Sequence, residues 1–208
     1  YIDGIQIDKL DELKAAGYDI KDIGVKLGQN YVKQIIEDGY FHADPHPGNI
    51  WIRGGKIIWL DLGMMGRLSS HDRAALKQAV FALVNNDTYE MKSAVLALGM
   101  PKERINHTRL YEDIDAMMAQ YSSMDFENLQ LGPLARKILR ILRQHKIAIM
   151  PGISMFARGV MTIEAVMRIC CPDVNFVEIF AAQMQADFRK NFDWREEVNK
   201  VKIGRAHV

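Results

Sequence analysis

The feature that most constrains the fold is a polar loop followed by a predicted β-hairpin. The loop, residues 41–50, reads FHADPHPGNI, and residues 50–60 continue as IWIRGGKIIWL. Two β-prone runs joined by RGGK are typical of a hairpin with a short glycine turn. Such a hairpin folds Asp61, which follows it, back beside Asn49 at the end of the loop. The sequence therefore predicts that Asp44, Asn49 and Asp61 lie close together.

The spacing of these three side chains suits a site for a magnesium-bound nucleotide. Phosphoryl transfer depends mainly on charge neutralisation and in-line positioning. Mg²⁺ prefers oxygen ligands and keeps several waters, so Asn49 and Asp61 are a suitable protein contribution. Asp44, five residues before Asn49, is then the candidate catalytic base that accepts a hydrogen bond from the attacking hydroxyl or water. Gly63 would allow a sharp backbone turn after the metal ligand.

Two histidines of the loop, His42 and His46, invite a zinc-site interpretation. A zinc pair at that spacing needs a helix that puts both rings on one face, and Pro45 and Pro47 interrupt the segment. We therefore expect His42 to pack behind the loop and to bond to the backbone. His46 lies near the candidate base and is a candidate contact for the transferred phosphate. Both are predicted supporting residues, together with Gly63.

The loop and the turn after the hairpin resemble a known family. GYFHADPHPGNI at residues 39–50 and LDLGM at residues 60–64 look like the motifs of the UbiB family of atypical kinases, also called the aarF-domain family. The resemblance runs from YIDGI at residues 1–5, similar to the segment between the two lobes, to about Ile179. Leu62 stands where many members carry Phe, and a branched aliphatic side chain can fill the same apolar slot.

The resemblance implies a protein-kinase-like C-lobe with ATP and Mg²⁺ as cofactors. In it, Asp44 is the base-like residue, and Asn49 and Asp61 are the metal ligands. It also implies a role in isoprenoid quinone (ubiquinone) biosynthesis, with quinone precursors or quinone-biosynthesis proteins as partners. The implied setting is membrane-associated, at the cytoplasmic face of a bacterial membrane or in a eukaryotic organelle. Ala43, where protein kinases place Arg, favours an ATPase or small-molecule kinase over an efficient protein kinase.

Two other functions stay open. Small-molecule phosphotransferases of the aminoglycoside- or choline-kinase type use a similar loop, but they usually follow the later Asp with an aromatic residue and an acid. Here Leu62 and Gly63 follow instead. A nucleotide-sensing scaffold that binds ATP without turnover would carry the same three polar residues as an ATPase. A net charge of +1 argues against nonspecific binding of nucleic acid.

The sequence predicts one partial kinase-like domain over residues 1–202, formed by the C-lobe and a helical extension. A kinase-like site also needs a Lys on an N-lobe strand and a small-residue loop over the phosphates. Neither is found, so we expect the N-lobe residues to be absent from this chain and the fragment alone to be inactive. Residues 203–208, IGRAHV, read like a translated sequencing adapter and are set aside as an artefact. KLGQ at residues 26–29 spells the family's KxGQ motif, but here it lies in a predicted helix, and we interpret it as coincidence.

The expected fold class is mainly α (α+β), a kinase-like C-lobe with one small β-hairpin and a C-terminal helical extension. A helical period from about residue 22 to residue 38 ends at Gly39, and Ser69 or Ser70 can cap the next helix. That helix is predicted to place four apolar side chains on one face: Leu76, Val80, Leu83 and Val84. Another helix starts at Thr88 and ends before Gly99 and Pro101. Further helices are predicted near residues 108–121, 133–145, 151–171 and 177–192.

Other residues indicate an ordinary globular chain. The 12 Met residues are interpreted as adaptable core filling. The adjacent Cys170 and Cys171 suit a reducing compartment better than a disulfide. Glu164 and Arg168 are spaced to pair along one helix. The longest uncharged run, residues 147–157, is shorter than the roughly 20 residues that a membrane span needs.

The predicted helix at residues 133–145 is the best candidate for a partner surface. Its apolar side chains repeat on one face, and three basic ones line another: Arg136, Arg140 and Arg143. One interpretation is a core-packed helix with a solvated basic face. The other is peripheral contact of these arginines with anionic lipid headgroups, which fits a family that acts on membrane-embedded quinone precursors.

Overall fold

The computed structural model describes residues 3–122 and 129–191, and helices make up most of this part of the chain. The helices are α1 (Leu10–Ala15), α2 (Ile20–Lys33), α3 (Ser70–Val84), α4 (Thr88–Ala97), α5 (His107–Ser122), α6 (Leu131–Gln144), α7 (Pro151–Cys170) and α8 (Phe176–Asn191). The strands are β1 (Ile5–Gln6), β2 (Tyr40–His42), β3 (Ile50–Arg53), β4 (Lys56–Trp59), β5 (Met65–Arg67), β6 (Gly99–Pro101) and β7 (Ile147–Ile149). The predicted mainly α, kinase-like fold class is confirmed.

Helix α2 leads directly into the polar loop. The side chain of Asp19 caps its start by accepting a hydrogen bond from the N–H of Lys21 at 2.8 Å. The last turn widens into a π-helical turn over Gln34–Asp38, and Gly39 ends it with a φ of 66°. A side chain at Gly39 would also collide with the carbonyl oxygen of Leu68, 2.9 Å from an ideal Cβ. The predicted helix and its glycine stop are confirmed.

The predicted hairpin is present as β3 and β4. These strands pair antiparallel, from Ile50 opposite Trp59 to Arg53 opposite Lys56. Gly54 and Gly55 form the turn with φ values of 55° and 71°, the left-handed conformations that glycine adopts readily. The short strand β1 adds to the other edge of β3. The hairpin therefore brings the residue after Trp59 back to the residue before Ile50.

Two further strand pairs were not predicted from the sequence. Strand β2 pairs with β5, and β6 pairs with β7, both antiparallel. The first pair needs a glycine, because a Cβ at Gly66 would lie 2.2 Å from the ring of Phe41. The second pair uses Gly99 and Pro101, which the sequence indicated only as the end of a helix. The structure therefore contains more than the one hairpin that was expected.

The helical part packs around alanines as well as larger side chains. Ser69 caps α3 in a capping box with Asp72, as the sequence allowed. The four apolar side chains predicted on one face of α3 all line one groove, where Leu76, Val80 and Leu83 are partly buried and Val84 is 59% exposed. Ala75 and Ala82 form the buried face of the same helix. Small side chains on that face allow a close approach of neighbouring helices.

The buried apolar side chains form two clusters. The first surrounds α2, the loop and α7, and includes Tyr31, Phe41 and Ile50. The second lies among α3, α4, α5 and α6 and contains Met91 and Leu142. Buried methionines support the core-filling interpretation, but others are exposed, among them Met64, Met100, Met150 and Met155. No helix within residues 3–122 and 129–191 combines the length and apolar character needed to cross a bilayer.

Candidate functional site

The polar loop is fixed by its own backbone. The N–H of Ala43 donates to the carbonyl oxygen of Met64 at 2.9 Å, which ties the start of the loop to the segment after the hairpin. The N–H of His46 donates to the oxygen of Asp44 at 2.8 Å, and the N–H of Asn49 to that of His46 at 2.9 Å. The loop is thus a series of short turns, in which few main-chain groups depend on solvent.

Asn49 is oriented so that its side-chain oxygen is available. Its side chain is largely buried, with the residue 7% exposed, and its Nδ2 donates to the carbonyl oxygen of Asp44 at 3.2 Å. Within residues 3–122 and 129–191, Oδ1 of Asn49 takes part in no hydrogen bond. The N–H of Leu60 donates to the main-chain oxygen of Asn49 at 2.9 Å. Asn49 and Asp61 are therefore brought together by the residue that precedes Asp61.

Asp61 lies in an unusual backbone conformation. Its φ is 50°, a left-handed value that residues other than glycine rarely adopt. The carboxylate is exposed and accepts a hydrogen bond from the N–H of Gly63 at 3.3 Å. Gly63 does not have a positive φ; instead, a Cβ there would lie 3.0 Å from Oδ1 of Asp61. The expected sharp turn therefore occurs at Asp61, and Gly63 leaves room for its carboxylate.

Leu62 lies outside the core formed by the described residues. It is 61% exposed, so no pocket formed by the described residues encloses it. Met64, two residues later, is also exposed and its sulfur lies 3.6 Å from a guanidinium nitrogen of Arg158. The surface beside the Asp61 carboxylate is therefore partly apolar.

His42 lies behind the site and connects its two arms, which are the loop at Asp44 and the turn at Asp61. It is buried, and its ring stacks on Trp59 with 5.5 Å between the ring centroids. Nδ1 accepts a hydrogen bond from the N–H of Asp44 at 3.2 Å, so Nε2 carries the proton and donates to the carbonyl oxygen of Leu60 at 2.9 Å. His42 thus bonds to the backbone as predicted, and neither nitrogen is free to bind a metal.

His46 is exposed and accepts a hydrogen bond from the N–H of Gly48 at 3.1 Å through Nδ1. This bond caps the short 3₁₀ turn Pro47–Asn49. Within the described ranges there is no group of three or more His, Cys, Asp or Glu side chains placed to hold a metal ion. A contact between His46 and a phosphate stays a prediction.

Asp44 has a fixed backbone and a free carboxylate. Its N–H and its carbonyl oxygen are both bonded, to His42 on one side and to His46 and Asn49 on the other. Its carboxylate makes no hydrogen bond or ion pair with any residue of 3–122 or 129–191. A partly exposed carboxylate on a hydrogen-bonded backbone can serve as a hydrogen-bond acceptor for a reacting group.

Two side chains that sequence reasoning missed hold the loop from α2. The hydroxyl of Tyr31 donates to the carbonyl oxygen of His42 at 2.8 Å, and Oε1 of Gln34 accepts from the N–H of His42 at 3.0 Å. The helical period predicted from about residue 22 to residue 38 includes both residues but indicates no contact with the loop. Their spacing could have indicated that both face the loop, because residues three apart on a helix share a face.

The remaining predicted residues lie elsewhere. Arg136, Arg140 and Arg143 are exposed on α6 and are not part of the loop or hairpin. Cys170 and Cys171 are buried free thiols. Burial raises the pKa of Cys170, and burial, followed by the charge of Cys170, raises the pKa of Cys171 to about 12. These thiols therefore remain protonated and are not candidate nucleophiles.

The donor set at the site is made of oxygens only. A carboxylate from Asp61 and an amide oxygen from Asn49 fit a hard cation such as Mg²⁺, which completes its coordination with waters and phosphate oxygens. The free Oδ1 of Asn49 is the observation that supports this fit. Together, the loop, the hairpin and the turn have the arrangement expected of the C-lobe of a kinase-like protein.

Comparison with known families agrees with this class. The model of the ABC1 atypical kinase-like domain matches residues 1–95, and that of the UbiB helical domain matches residues 114–175. The chain therefore belongs to the ABC1/UbiB family of atypical kinase-like proteins, as its motifs predicted. The loop and hairpin lie in the first matched segment, and α6 and α7 lie in the second.

Relatives in bacteria and plants are similar over different shares of the chain. The uncharacterized protein in the hydrogenase 1 5′ region of Clostridium pasteurianum is 33% identical over 195 residues, which are 92% of this chain and 37% of that protein. An uncharacterized protein of Synechocystis is 26% identical over 189 residues, 88% of the chain and 32% of that protein. Protein Activity of BC1 Complex Kinase 8, chloroplastic, of Arabidopsis thaliana is 38% identical over 103 residues, 48% of the chain and 14% of that protein. The chain spans well under half the length of these relatives.

Proposed function

We propose that this chain carries the catalytic loop and the magnesium ligands of an ATP-dependent phosphotransferase or ATPase. The observation that carries the proposal is the hydrogen bond from the N–H of Leu60 to the main-chain oxygen of Asn49, which holds the backbone of Asn49 next to the residue that precedes Asp61. Asp44 is joined to the same asparagine through its carbonyl oxygen. Membership in an atypical kinase-like family supports the same reaction class.

The polar side chains of the site would have different roles in this reaction. Asp61 and Asn49 would hold Mg²⁺, which when bound neutralises charge on the nucleotide phosphates. Asp44 would accept a hydrogen bond from the attacking hydroxyl or water and orient it. His42 keeps both arms at a fixed separation, because its two ring nitrogens are bonded to both of them. The exposed ring of His46 would lie towards the transferred phosphate.

The acceptor and the biological setting are proposed from the family alone. We propose that the activity supports isoprenoid quinone biosynthesis, with quinone precursors or quinone-biosynthesis proteins as partners, at a bacterial membrane face or in an organelle. Membership in a fold family supports a substrate only by analogy. The geometry of the site therefore supports phosphoryl-transfer chemistry but not a particular acceptor. A nucleotide-sensing scaffold has the same ligands and differs only in turnover.

Hydrolysis and binding measured on the same variant separate enzyme from scaffold. Asp44→Asn in the full-length protein should lower kcat for ATP hydrolysis by the roughly 10²–10⁴-fold that a positioned base contributes. Its nucleotide-dependent rise in melting temperature should stay close to that of the wild type, because Asp44 is not a metal ligand. Asp38→Asn is the control, since Asp38 is paired with Lys33 away from the site.

Binding without turnover in the wild type would favour the scaffold. Turnover that is equal in Asp44→Asn and wild type would remove Asp44 from the role of base. Turnover that is lost together with nucleotide binding would mean that Asp44 helps to hold the ligand rather than to orient the acceptor.

We also propose that α6 contacts anionic lipid through its basic face. Arg136, Arg140 and Arg143 are all exposed, and none has a carboxylate within ion-pair distance among the described residues. A guanidinium nitrogen of Arg136 lies 3.6 Å from the sulfur of Met161. Each basic side chain near an anionic surface contributes about 1 kcal/mol, and salt screens the attraction.

Replacing the three arginines of α6 with Gln should weaken binding to phosphatidylserine-containing liposomes by about a hundredfold at low salt, the product of three such contributions. The matched control replaces Arg104, Arg109 and Arg168, which are also exposed and carry the same total charge. Equal binding by the two triple variants would show that net charge, not this face, is responsible. A lower melting temperature for the α6 variant alone would support the structural interpretation of the face.

A further inference from the structure

We propose that Tyr31 is a positioning residue of the catalytic loop, and that α7 holds its hydroxyl in place through Gly159. The inference rests on the proposed function for what it positions, the carboxylates of Asp44 and Asp61. Tyr31 is completely buried on α2, and its hydroxyl donates to the carbonyl oxygen of His42 at 2.8 Å. This bond joins a rigid helix to the residue that bridges both arms of the site.

The backbone of His42 is held on both sides by the same helix. Tyr31 bonds to its carbonyl oxygen, and Gln34, one turn later, bonds to its N–H. The ring of His42 then bonds to Asp44 and to the residue before Asp61. A shift of His42 would therefore displace both functional arms at once.

Glycine at position 159 allows α7 to close over the tyrosine hydroxyl. An ideal Cβ at Gly159 would lie 2.2 Å from the Tyr31 oxygen and 3.3 Å from the carbonyl oxygen of His42. The hydroxyl is thus enclosed between two helices, with the His42 oxygen as its acceptor. Burial raises the pKa of Tyr31, so the hydroxyl keeps the proton that it donates.

The contact joins the two segments that the family models match separately. Tyr31 and His42 lie within residues 1–95, and Gly159 lies within residues 114–175. The helical segment therefore takes part in setting the loop geometry of the kinase-like segment. This role differs from simple packing, because it acts on one hydrogen bond to the loop.

The test compares two tyrosine variants that each lose one oxygen atom. Tyr31→Phe removes the bond to His42, whereas Tyr18→Phe removes a hydroxyl that accepts from the N–H of Gly54 at 2.9 Å, at the far end of the hairpin. The readout without metal is the amide NMR signal of Asp44 and of Asp61. We expect both signals to move in Tyr31→Phe and to stay in place in Tyr18→Phe.

Metal affinity gives a second readout that a purely structural bond would not change. Mn²⁺, used as the probe for Mg²⁺, should bind about tenfold more weakly to folded Tyr31→Phe, the factor that one hydrogen bond at the upper end of its usual net contribution supplies. If the loop is correctly placed for a smaller fraction of the time, its apparent affinity for Mn²⁺ falls in proportion. Tyr18→Phe should bind Mn²⁺ like the wild type.

A double-variant cycle tests the part played by α7. Gly159→Ala should weaken Mn²⁺ binding at least as much as Tyr31→Phe, because the new methyl group meets the hydroxyl. In the Tyr31→Phe background the nearest ring carbon lies 3.5 Å away, and the same substitution should add less than about a twofold loss, since the pair is coupled. Independent, additive effects would overturn the claim that Gly159 acts through Tyr31.

The outcomes separate this inference from the proposed function. Unmoved amide signals of Asp44 and Asp61 in Tyr31→Phe would overturn the positioning role, whatever the metal data show. Moved signals with no Mn²⁺ binding in any variant, wild type included, would support the positioning role and contradict the metal site. If Tyr31→Phe does not fold, Gln34→Met removes the other bond to His42 and is expected to move the same two signals.

Discussion

The loop region and the α3–α6 region are stabilised by different kinds of contact. In the loop and hairpin, residues 40–67, named hydrogen bonds fix the main chain and the side chains of His42 and Asn49. Among α3, α4, α5 and α6, the buried cluster consists of apolar side chains, such as Ile114 and Leu142. Hydrogen bonds fix direction as well as distance, whereas apolar packing mainly fills volume. Hydrogen bonds therefore suit a functional site, and apolar packing suits the helices that support it.

An apolar groove beside the helical cluster illustrates the difference. It runs between α3 and α6, and its walls include Val80, Leu83, Leu134 and Ile138. Apolar side chains can pack around an open groove of this kind, because no directional hydrogen bond is lost. In the loop region, by contrast, a single methyl group added at Gly66, or at Gly159 of the adjoining helix α7, would meet a neighbouring side chain at 2.2 Å.

The largest effect on stability is expected in the helical cluster. Leu142 is completely buried there, and Leu142→Ala should lower the free energy of unfolding by about 2–5 kcal/mol, from lost burial and the cavity that remains. The Mn²⁺ affinity of the molecules that stay folded should not change, because the loop has its own supports. Leu83→Ala, on the groove, is the control and should cost less. A large change in Mn²⁺ affinity for Leu142→Ala would contradict the conclusion that the loop region and the α3–α6 region are stabilised by separate contacts.

A smaller effect is expected at the start of α6. The carboxylate of Glu164 on α7 accepts the N–H groups of Leu131 and Gly132 at 2.7 and 2.8 Å. Glu164→Gln keeps one acceptor oxygen and loses the charge that favours a helix N-terminus, so it should cost about 1 kcal/mol of unfolding free energy. Glu103→Gln, which loses only an exposed pair with Lys146, should cost less. Equal melting temperatures for the two variants would show that this cap contributes nothing beyond a surface charge.

The sequence predicted the elements better than the contacts between them. Helices α5 to α8 begin and end within about two residues of their expected bounds, since the periodicity of their apolar side chains is a local signal. Strand β6 was missed because Gly99 and Pro101 indicate a helix end, and its partner β7 lies more than forty residues away. A three-residue strand carries almost no pattern of its own.

Side-chain roles were predicted where the motif is contiguous and missed where it is not. His42 bonds to the backbone as expected, because its neighbours in sequence are its neighbours in space. Glu164 was expected to pair with Arg168, but it caps another helix instead. Tyr31 fits the helical period equally well as a core residue or as a hydrogen-bond donor, and only the position of His42 decides between them.

The most direct test of the account is where a divalent cation binds. Mn²⁺ with ATP should broaden the NMR signals of Asn49 and Asp61 in the wild-type protein. In Asp61→Asn the affinity should fall by at least the roughly 10–100-fold that even outer-shell changes cost at metal sites, and in Asp38→Asn the broadening should persist. Broadening that is centred elsewhere, or that is the same in Asp61→Asn and wild type, would contradict the proposal that Asn49 and Asp61 hold the metal.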